Sequence, residues 1–354
     1  MTRSALQQLR CGSTAVAFAL AALLVCGITA AADVPSAPAG TMSQITVHGA
    51  SLVGNLSGDP ADRAVFVYLP PSYTAAKSRR YPVLYDLHGY SLTAERWVGI
   101  LKAREAIDRA IAQGNAREMI VVFPDAMSTH NGSMYSSSVT TGDWETFIAH
   151  DLVSHIDGHY RTLAKRESRG LSGHSMGGYG AFRIGMKRPD VFSVLYPMSS
   201  CCLSPRSVTP ADPAIEQIKT SEDAAKLQMG ARTTLAASAA WAPDPQNPPF
   251  YLDLPTKAGM ADPSVIARYA ANSPHAMLPQ YVPSLKKYRA IQMDVGLQDT
   301  LLRDNKEMDR LLTEFSVPHT YETYEGDHVN HIPERFEQNV LPFFSQHLEF
   351  GAGK

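Results

Sequence analysis

The sequence predicts an α/β domain, with a mostly parallel central sheet and helices on both faces. Three observations predict it. The runs "PVLYDL" and "MIVVF", inside Tyr81–Gly89 and Met119–Ala126, are almost continuously apolar, as strands covered on both faces must be. Segments with apolar residues at helical spacing separate successive strand-like runs, the alternation that parallel crossovers require. A glycine-rich stretch around one serine, "RGLSGHSMGGYGAFRIG" (Arg169–Gly185), sits at a strand-to-helix junction.

The chain opens with a segment that is not expected to belong to this domain. Arg3 and Arg10 precede an uncharged apolar run ending in Ala30-Ala31-Ala32, the pattern of a signal peptide cleaved after Ala32. A retained membrane anchor is the competing reading, since the run is long enough to span. A lipid anchor at Cys26 is disfavoured by the branched Val25 before it. Asp33–Ser43, rich in proline and alanine, reads as a linker, and residues 44–350 as the folded domain.

Strand-like runs follow at Ile45–Gly54 and Ala64–Tyr73, where apolar and polar residues partly alternate. The segment "AERWVGILKAREAIDRAIAQGN" predicts one helix stopped at Gly114-Asn115. "DWETFIAHDLVSHIDGHYR" predicts another, with Asp143 as its N-cap. A short strand then leads into "GLSG", a helix covers Ser175–Lys187, and "FSVLYPMSS" gives a further strand. The span 203–285 breaks the rhythm. It holds "WAPDPQNPPFYLDLP" (Trp241–Pro255) and reads as a Pro/aromatic-rich insertion over the top edge of the sheet, before the acid-bearing strand. Alternation resumes with the strand Ile291–Gly296, a helix, the strand "TYETYEG" and a closing helix from about Pro333 to His347.

The 354 residues carry a formal net charge of −2, which argues against nucleic acid or another polyanion as partner. Only Cys201 and Cys202 lie beyond the leader, and two adjacent cysteines make no disulfide framework, so both are expected as buried thiols.

The serine at the junction is Ser175. "GHSMG" (Gly173–Gly177) matches G-x-S-x-G after a strand and at the start of a helix, where a strained turn lifts the hydroxyl clear of the backbone. Glycine fits at both flanks because side chains there would meet the neighbouring strand and helix. Gly178, Gly180 and Gly185 are expected to ease helix–sheet packing, with Gly170 incidental. Serine needs a base to become a nucleophile, so an acid and a histidine should follow it in the chain.

Asp299, in "GLQDT" just past a strand end, is the expected acid. Asp294 is the nearest rival, but it lies inside the strand, and Asp304 is already on the next helix. For the base, His328 follows a strand and a Gly-Asp turn, whereas His331 starts the last helix. Two histidines three apart could also suggest a metal, but no cysteine or compact carboxylate set completes a ligand shell. No metal and no cofactor is expected. His174 reads as a packing residue of the turn. The oxyanion hole needs two backbone N–H groups, for which Met176 and Tyr90 are the candidates.

At this point the residues resemble the esterase D-like α/β-hydrolases, a group that includes S-formylglutathione hydrolases, feruloyl esterases and mycolyltransferases. "GLSGHSMGGYGAFRIGMKRPDVF", "YPVLYDLHGY", "GLQDT" and "EGDHVNHI" fall in matching order from about Ile45 to Leu348. The resemblance implies the α/β-hydrolase fold, Ser175, Asp299 and His328 as a triad, and Tyr90 and Met176 as oxyanion donors. The reading "HVNHIP" departs from the aromatic-rich turn often found after the family's histidine.

The expected activity is therefore that of a secreted or periplasmic serine carboxylesterase on a small-molecule, carbohydrate or lipid ester. Tyr135, Trp241, Phe250 and Tyr251 are candidate pocket residues. Acyl transfer to a sugar or lipid alcohol would use the same triad. A non-catalytic binding protein of the same fold would instead be marked by an incomplete set of catalytic residues.

Overall fold

The computed structural model describes residues 39–205 and 213–351. The expected leader (1–32), residues 33–38 of the expected linker and residues 206–212 of the insertion lie outside the described residues.

Eight strands form the main sheet: β1 (Thr41–His48), β2 (Asp62–Leu69), β3 (Val83–Leu87), β4 (Ile120–Pro124), β5 (Arg169–His174), β6 (Val194–Met198), β7 (Ala290–Gly296) and β8 (Thr320–Tyr324). Their spatial order is β1-β2-β4-β3-β5-β6-β7-β8, and only β2 runs against the others. This is the α/β-hydrolase fold. β1 begins inside the span read as linker, because Thr41, Met42 and Ser43 pair with Leu69, Tyr68 and Val67.

Alternate residues of the inner strands feed two cores on opposite faces, as the two-residue period of a strand dictates. Val83, Tyr85 and Leu87 join one core, and Leu84, Val121, Phe123 and Tyr196 the other. The second core is closed by three helices: α1 (Ala94–Leu101), α2 (Ala103–Ala112) and the C-terminal α10, whose stretches are Ile332–Arg335, Phe336–Val340 and Leu341–His347. The predicted single helix after Thr93 is thus two. Lys102 adopts φ 45°, and this left-handed residue lets both Leu101 and Ala103 point inward while Lys102 stays exposed.

The first core is covered by α3 (Trp144–Thr146, continuing through Phe147–Leu152 and Val153–His159) and by α4 (Met176–Lys187). Asp143 caps α3, its Oδ1 accepting the Thr146 N–H at 3.0 Å. The 203–285 span contributes α5 (Ser221–Lys226), α6 (Met229–Trp241), α7 (Pro263–Ala271) and α8 (Pro274–Leu285). It carries a small core of its own, with Ile215, Leu227, Leu235 and Leu252, while Ala236, Ala240 and Trp241 reach the main one. A last helix, α9 (Leu302–Glu314), joins β7 to β8.

Among the described residues no helix is long and apolar enough to cross a membrane. Gly170 is not incidental: a β-carbon there would enter the Phe344 ring, so the strand residue is small because α10 lies against it.

Candidate active site

Ser175, Tyr90, Asp299 and His328 all follow the C-terminal ends of strands, the side on which open α/β sheets gather their ligand-contacting loops. Ser175 stands between β5 and α4 with φ 58° and ψ −111°, a conformation L-residues rarely adopt. Three hydrogen bonds hold it there. Its N–H donates to Met198 O (3.0 Å), and its carbonyl accepts the N–H groups of Tyr179 (2.9 Å) and Cys201 (3.1 Å).

The turn also demands close approach of backbones. A β-carbon on Gly177 would strike the Leu87 carbonyl and lie 3.0 Å from His88 O; one on Gly173 would lie 2.6 Å from Gly177 O. These are backbone atoms that cannot rotate away. Gly177→Ala is therefore expected to destabilise by about 3 kcal/mol or more, lowering Tm by roughly 5 °C or more. A melting curve matching wild type would show that the turn is looser than this.

Ser175 Oγ lies 2.9 Å from His328 Nε2, and His328 Nδ1 lies 2.8 Å from Asp299 Oδ2. Asp299 Oδ1 accepts the Leu301 N–H at 2.8 Å. A carboxylate only accepts, so the Asp299 contact puts the imidazole proton on Nδ1 and leaves Nε2 as the acceptor facing the serine. Burial pushes the Asp299 carboxyl up, but the bonds from His328 and Leu301 outweigh it and hold the group below its ordinary value.

The loops bearing acid and histidine are laced together. Gln298 N–H donates to Gly326 O (2.9 Å), Gly326 N–H to Gln298 Oε1 (2.7 Å), and Leu297 N–H to Tyr324 O (2.8 Å). Gly296 lets them approach, since a β-carbon there would meet the Gly326 carbonyl.

The rivals lie elsewhere. Asp294 is buried, with Oδ2 bound to Arg335 Nε (2.8 Å) and the Tyr196 hydroxyl (2.9 Å). Asp304 accepts from Ser204 Oγ (2.7 Å), and His331 pairs with Glu334 (2.5 Å). Cys202 is buried, but Cys201 is only half-buried, and their sulfurs are 2.8 Å apart.

His174 does more than fill space. Its Nε2–H donates to the His328 carbonyl at 2.9 Å, and its ring is sandwiched between Trp97 (centroids 5.8 Å) and His328 (4.6 Å). Trp97 Nε1–H is anchored at 2.6 Å on buried Asp86. Burial, reinforced by neighbouring His328, lowers the His174 pKa to about 3.

The sign of the linkage follows. The unfolded chain binds this proton near pH 6.5 and the folded chain only near pH 3, so the contribution is complete above pH 6.5 and lost as pH falls toward 3. Over that window wild type is expected to lose stability faster than His174→Gln, by at most about 1.4 kcal/mol per pH unit. Denaturant melts across the window check this; equal slopes would contradict it.

His88 performs a similar service for the loop after β3. Its Nε2 accepts the Ala126 N–H (2.8 Å), so Nδ1–H donates to Gly89 O (2.8 Å). Gly89 in turn packs against Ser175, its β-carbon position lying 3.5 Å from Ser175 Cβ. The Met176 N–H, at the first turn of α4, is among the donors a helix leaves uncommitted.

The four expected pocket residues divide. Tyr135 is fully buried beneath the β3 loop, its hydroxyl donating to His88 O (3.1 Å). Trp241 is also core, donating to Ser136 Oγ (3.1 Å) and packed against Tyr179 and Tyr269. Tyr251 serves the loop through its carbonyl, which accepts the Asp244 N–H at 2.9 Å. Phe250 lines a cavity of about 150 Å³, together with His130, Asn131, Arg232 and Leu235. Nothing in the sequence pattern marked Arg232, His88 or Gln298, because each gains its neighbours only through folding.

Comparison with known proteins places the chain in a family. A family described as "Putative esterase" matches residues 60–336. A 129-residue stretch is 32% identical to an endo-1,4-beta-xylanase/feruloyl esterase of Xylanibacter ruminicola, covering 36% of this chain and 18% of that protein. Another of 127 residues is 35% identical to an esterase of Mycobacterium tuberculosis, covering 35% of this chain and 26% of that protein. The matched stretches thus span a minor part of those curated relatives' own length. A solved ferulic acid esterase shares the fold, with TM-score 0.65 and 24% identity over 89% of this chain and 100% of its own.

Proposed function

Because this chain belongs to the esterase family of the α/β-hydrolases, a family of hydrolytic enzymes, we propose that it cleaves carboxylic esters through an acyl-enzyme on Ser175. The observation that carries this reading is the unbroken line Ser175 Oγ, His328, Asp299 at 2.9 and 2.8 Å.

In the first half-reaction His328 Nε2 takes the hydroxyl proton as Ser175 Oγ attacks the ester carbonyl. The Tyr90 and Met176 N–H groups stabilise the oxyanion of the tetrahedral intermediate. Collapse breaks the bond to the alcohol oxygen, which leaves with the proton held on Nε2. Water then repeats the sequence on the acyl-enzyme, giving the acid and free serine. Asp299 keeps the ring in the tautomer with Nδ1–H and offsets the charge of the imidazolium.

The substrates are small-molecule or carbohydrate esters, a class supported by the feruloyl esterase among the relatives. Export to the periplasm or medium fits the Arg3/Arg10 leader ending at Ala32. A panel of para-nitrophenyl esters of increasing acyl length tests the reading. Turnover of at least one, with a burst matching the enzyme concentration when deacylation is slow, is expected; a panel left wholly uncleaved would remove it.

A further inference from the structure

One wall of the cavity lined by Phe250 is continuous with the surroundings of Tyr90 and Met176. Its loop wall, Thr129–Asn131, continues into Gly132, where a β-carbon would lie 2.6 Å from Met176 Sδ and 2.8 Å from the Tyr90 ring. The Tyr90 hydroxyl donates to His130 O at 3.1 Å. The wall therefore rests on both residues assigned to the oxyanion hole.

The cavity's charge is unusual. Arg232 is permanently cationic, yet among the described residues no carboxylate pairs with it, and its Nε is buried without an acceptor. Its neighbours Leu235, Phe250 and Ala224 offer none. Burial raises the Tyr90 phenol's pKa while Arg232 draws it back down, so the positive charge is felt beside the loop next to Ser175. Asp59, which faces His130, accepts the Thr129 N–H (2.7 Å) and hydroxyl (2.9 Å) through Oδ1, while its Oδ2 is buried without a donor and does not pair with Arg232. Burial lowers the His130 pKa, leaving the imidazole neutral and Arg232 as the cation of this cavity.

A buried guanidinium N–H without an acceptor is unfavourable, and a carboxylate is the partner its geometry matches. The leaving alcohol must face His328 Nε2 to be protonated, so a group that enters on the Tyr90 side belongs to the acyl part. A cavity of about 150 Å³ admits a short chain.

We propose that this cavity receives the acyl group and that Arg232 binds a carboxylate at its far end, making half-esters of short dicarboxylic acids the preferred substrates. This rests on the esterase reading above and narrows it.

The test compares kcat/KM for para-nitrophenyl hemisuccinate and hemiglutarate with neutral para-nitrophenyl esters of matched length, using the full chain. Wild type is expected to prefer the half-esters, and Arg232→Gln to lower the half-ester to neutral-ester ratio by about tenfold or more, mainly through KM. Arg232→Lys should retain part of the preference, and added salt should weaken it. para-Acetoxybenzoate, with its carboxylate on the alcohol side, should show no dependence on Arg232.

A ratio unchanged by Arg232→Gln, or an Arg232-dependent preference for para-acetoxybenzoate, would overturn the assignment. Neutral esters cleaved by wild type with no preference for half-esters would remove this proposal alone. Failure on every ester would remove the esterase reading with it.

Discussion

Ser175→Ala is expected to lower kcat for ester hydrolysis by about four to six orders of magnitude while Tm stays within a few degrees of wild type. The two halves of that expectation have separate causes. Alanine keeps the β-carbon of serine, so the turn with φ 58° is neither relieved nor tightened, and its three backbone hydrogen bonds persist. What disappears is the 2.9 Å contact to His328 and with it the atom that attacks. A half-exposed hydroxyl–imidazole bond contributes only about 1 kcal/mol to stability, whereas covalent catalysis has no substitute at that position. Rates on the best ester of the panel, paired with a thermal melt, decide it. An alanine variant keeping even a hundredth of the activity would mean that another group, or water acting directly, performs the chemistry.

Asp299→Asn should lower kcat by about three to four orders of magnitude. The asparagine amide can turn its N–H toward His328 Nδ1, which moves the imidazole proton to Nε2. The ring then presents a donor to Ser175 where the reaction needs an acceptor. Asp294→Asn is the informative partner. Asp294 is bound to Arg335 and Tyr196, and burial pushes its carboxyl up against the pull of Arg335. Its loss should destabilise by about 3 kcal/mol, because Arg335 is left with a weaker buried partner, while kcat falls little. Comparable activity loss in both variants, with Asp294→Asn as stable as wild type, would reverse the assignment of the acid.

The residues that could be read in the sequence are those whose roles are local to the chain. Gly173-x-Ser175-x-Gly177 is one turn, and a carboxylate or histidine just past a strand can be located by counting from the apolar run before it. The α/β alternation was legible for the same reason. Roles that depend on distant partners were not. His174 acts on a carbonyl 154 positions away, and Gly170 is small on account of Phe344. Tyr135 and Trp241 have the composition of pocket walls, but an aromatic ring reads the same whether one face meets solvent or both meet core. The break at Lys102 escaped the pattern because Leu101 and Ala103 suit an amphipathic helix equally well on either side of it.

The position of β8 at the rim of the sheet has a further consequence. This strand is held by one neighbour, β7, and its residues are mostly exposed or half-buried. Rim elements open locally at lower free energy than the centre. The general base is carried at the end of such an element, whereas the nucleophile sits at the end of β5, flanked on both sides. Under mild stress the chain is thus expected to part with its proton acceptor while the serine stays in place, a protein still folded at the centre but chemically silent. The lacing through Gln298 and Gly326, and the grip of His174 on the His328 carbonyl, act against that early failure.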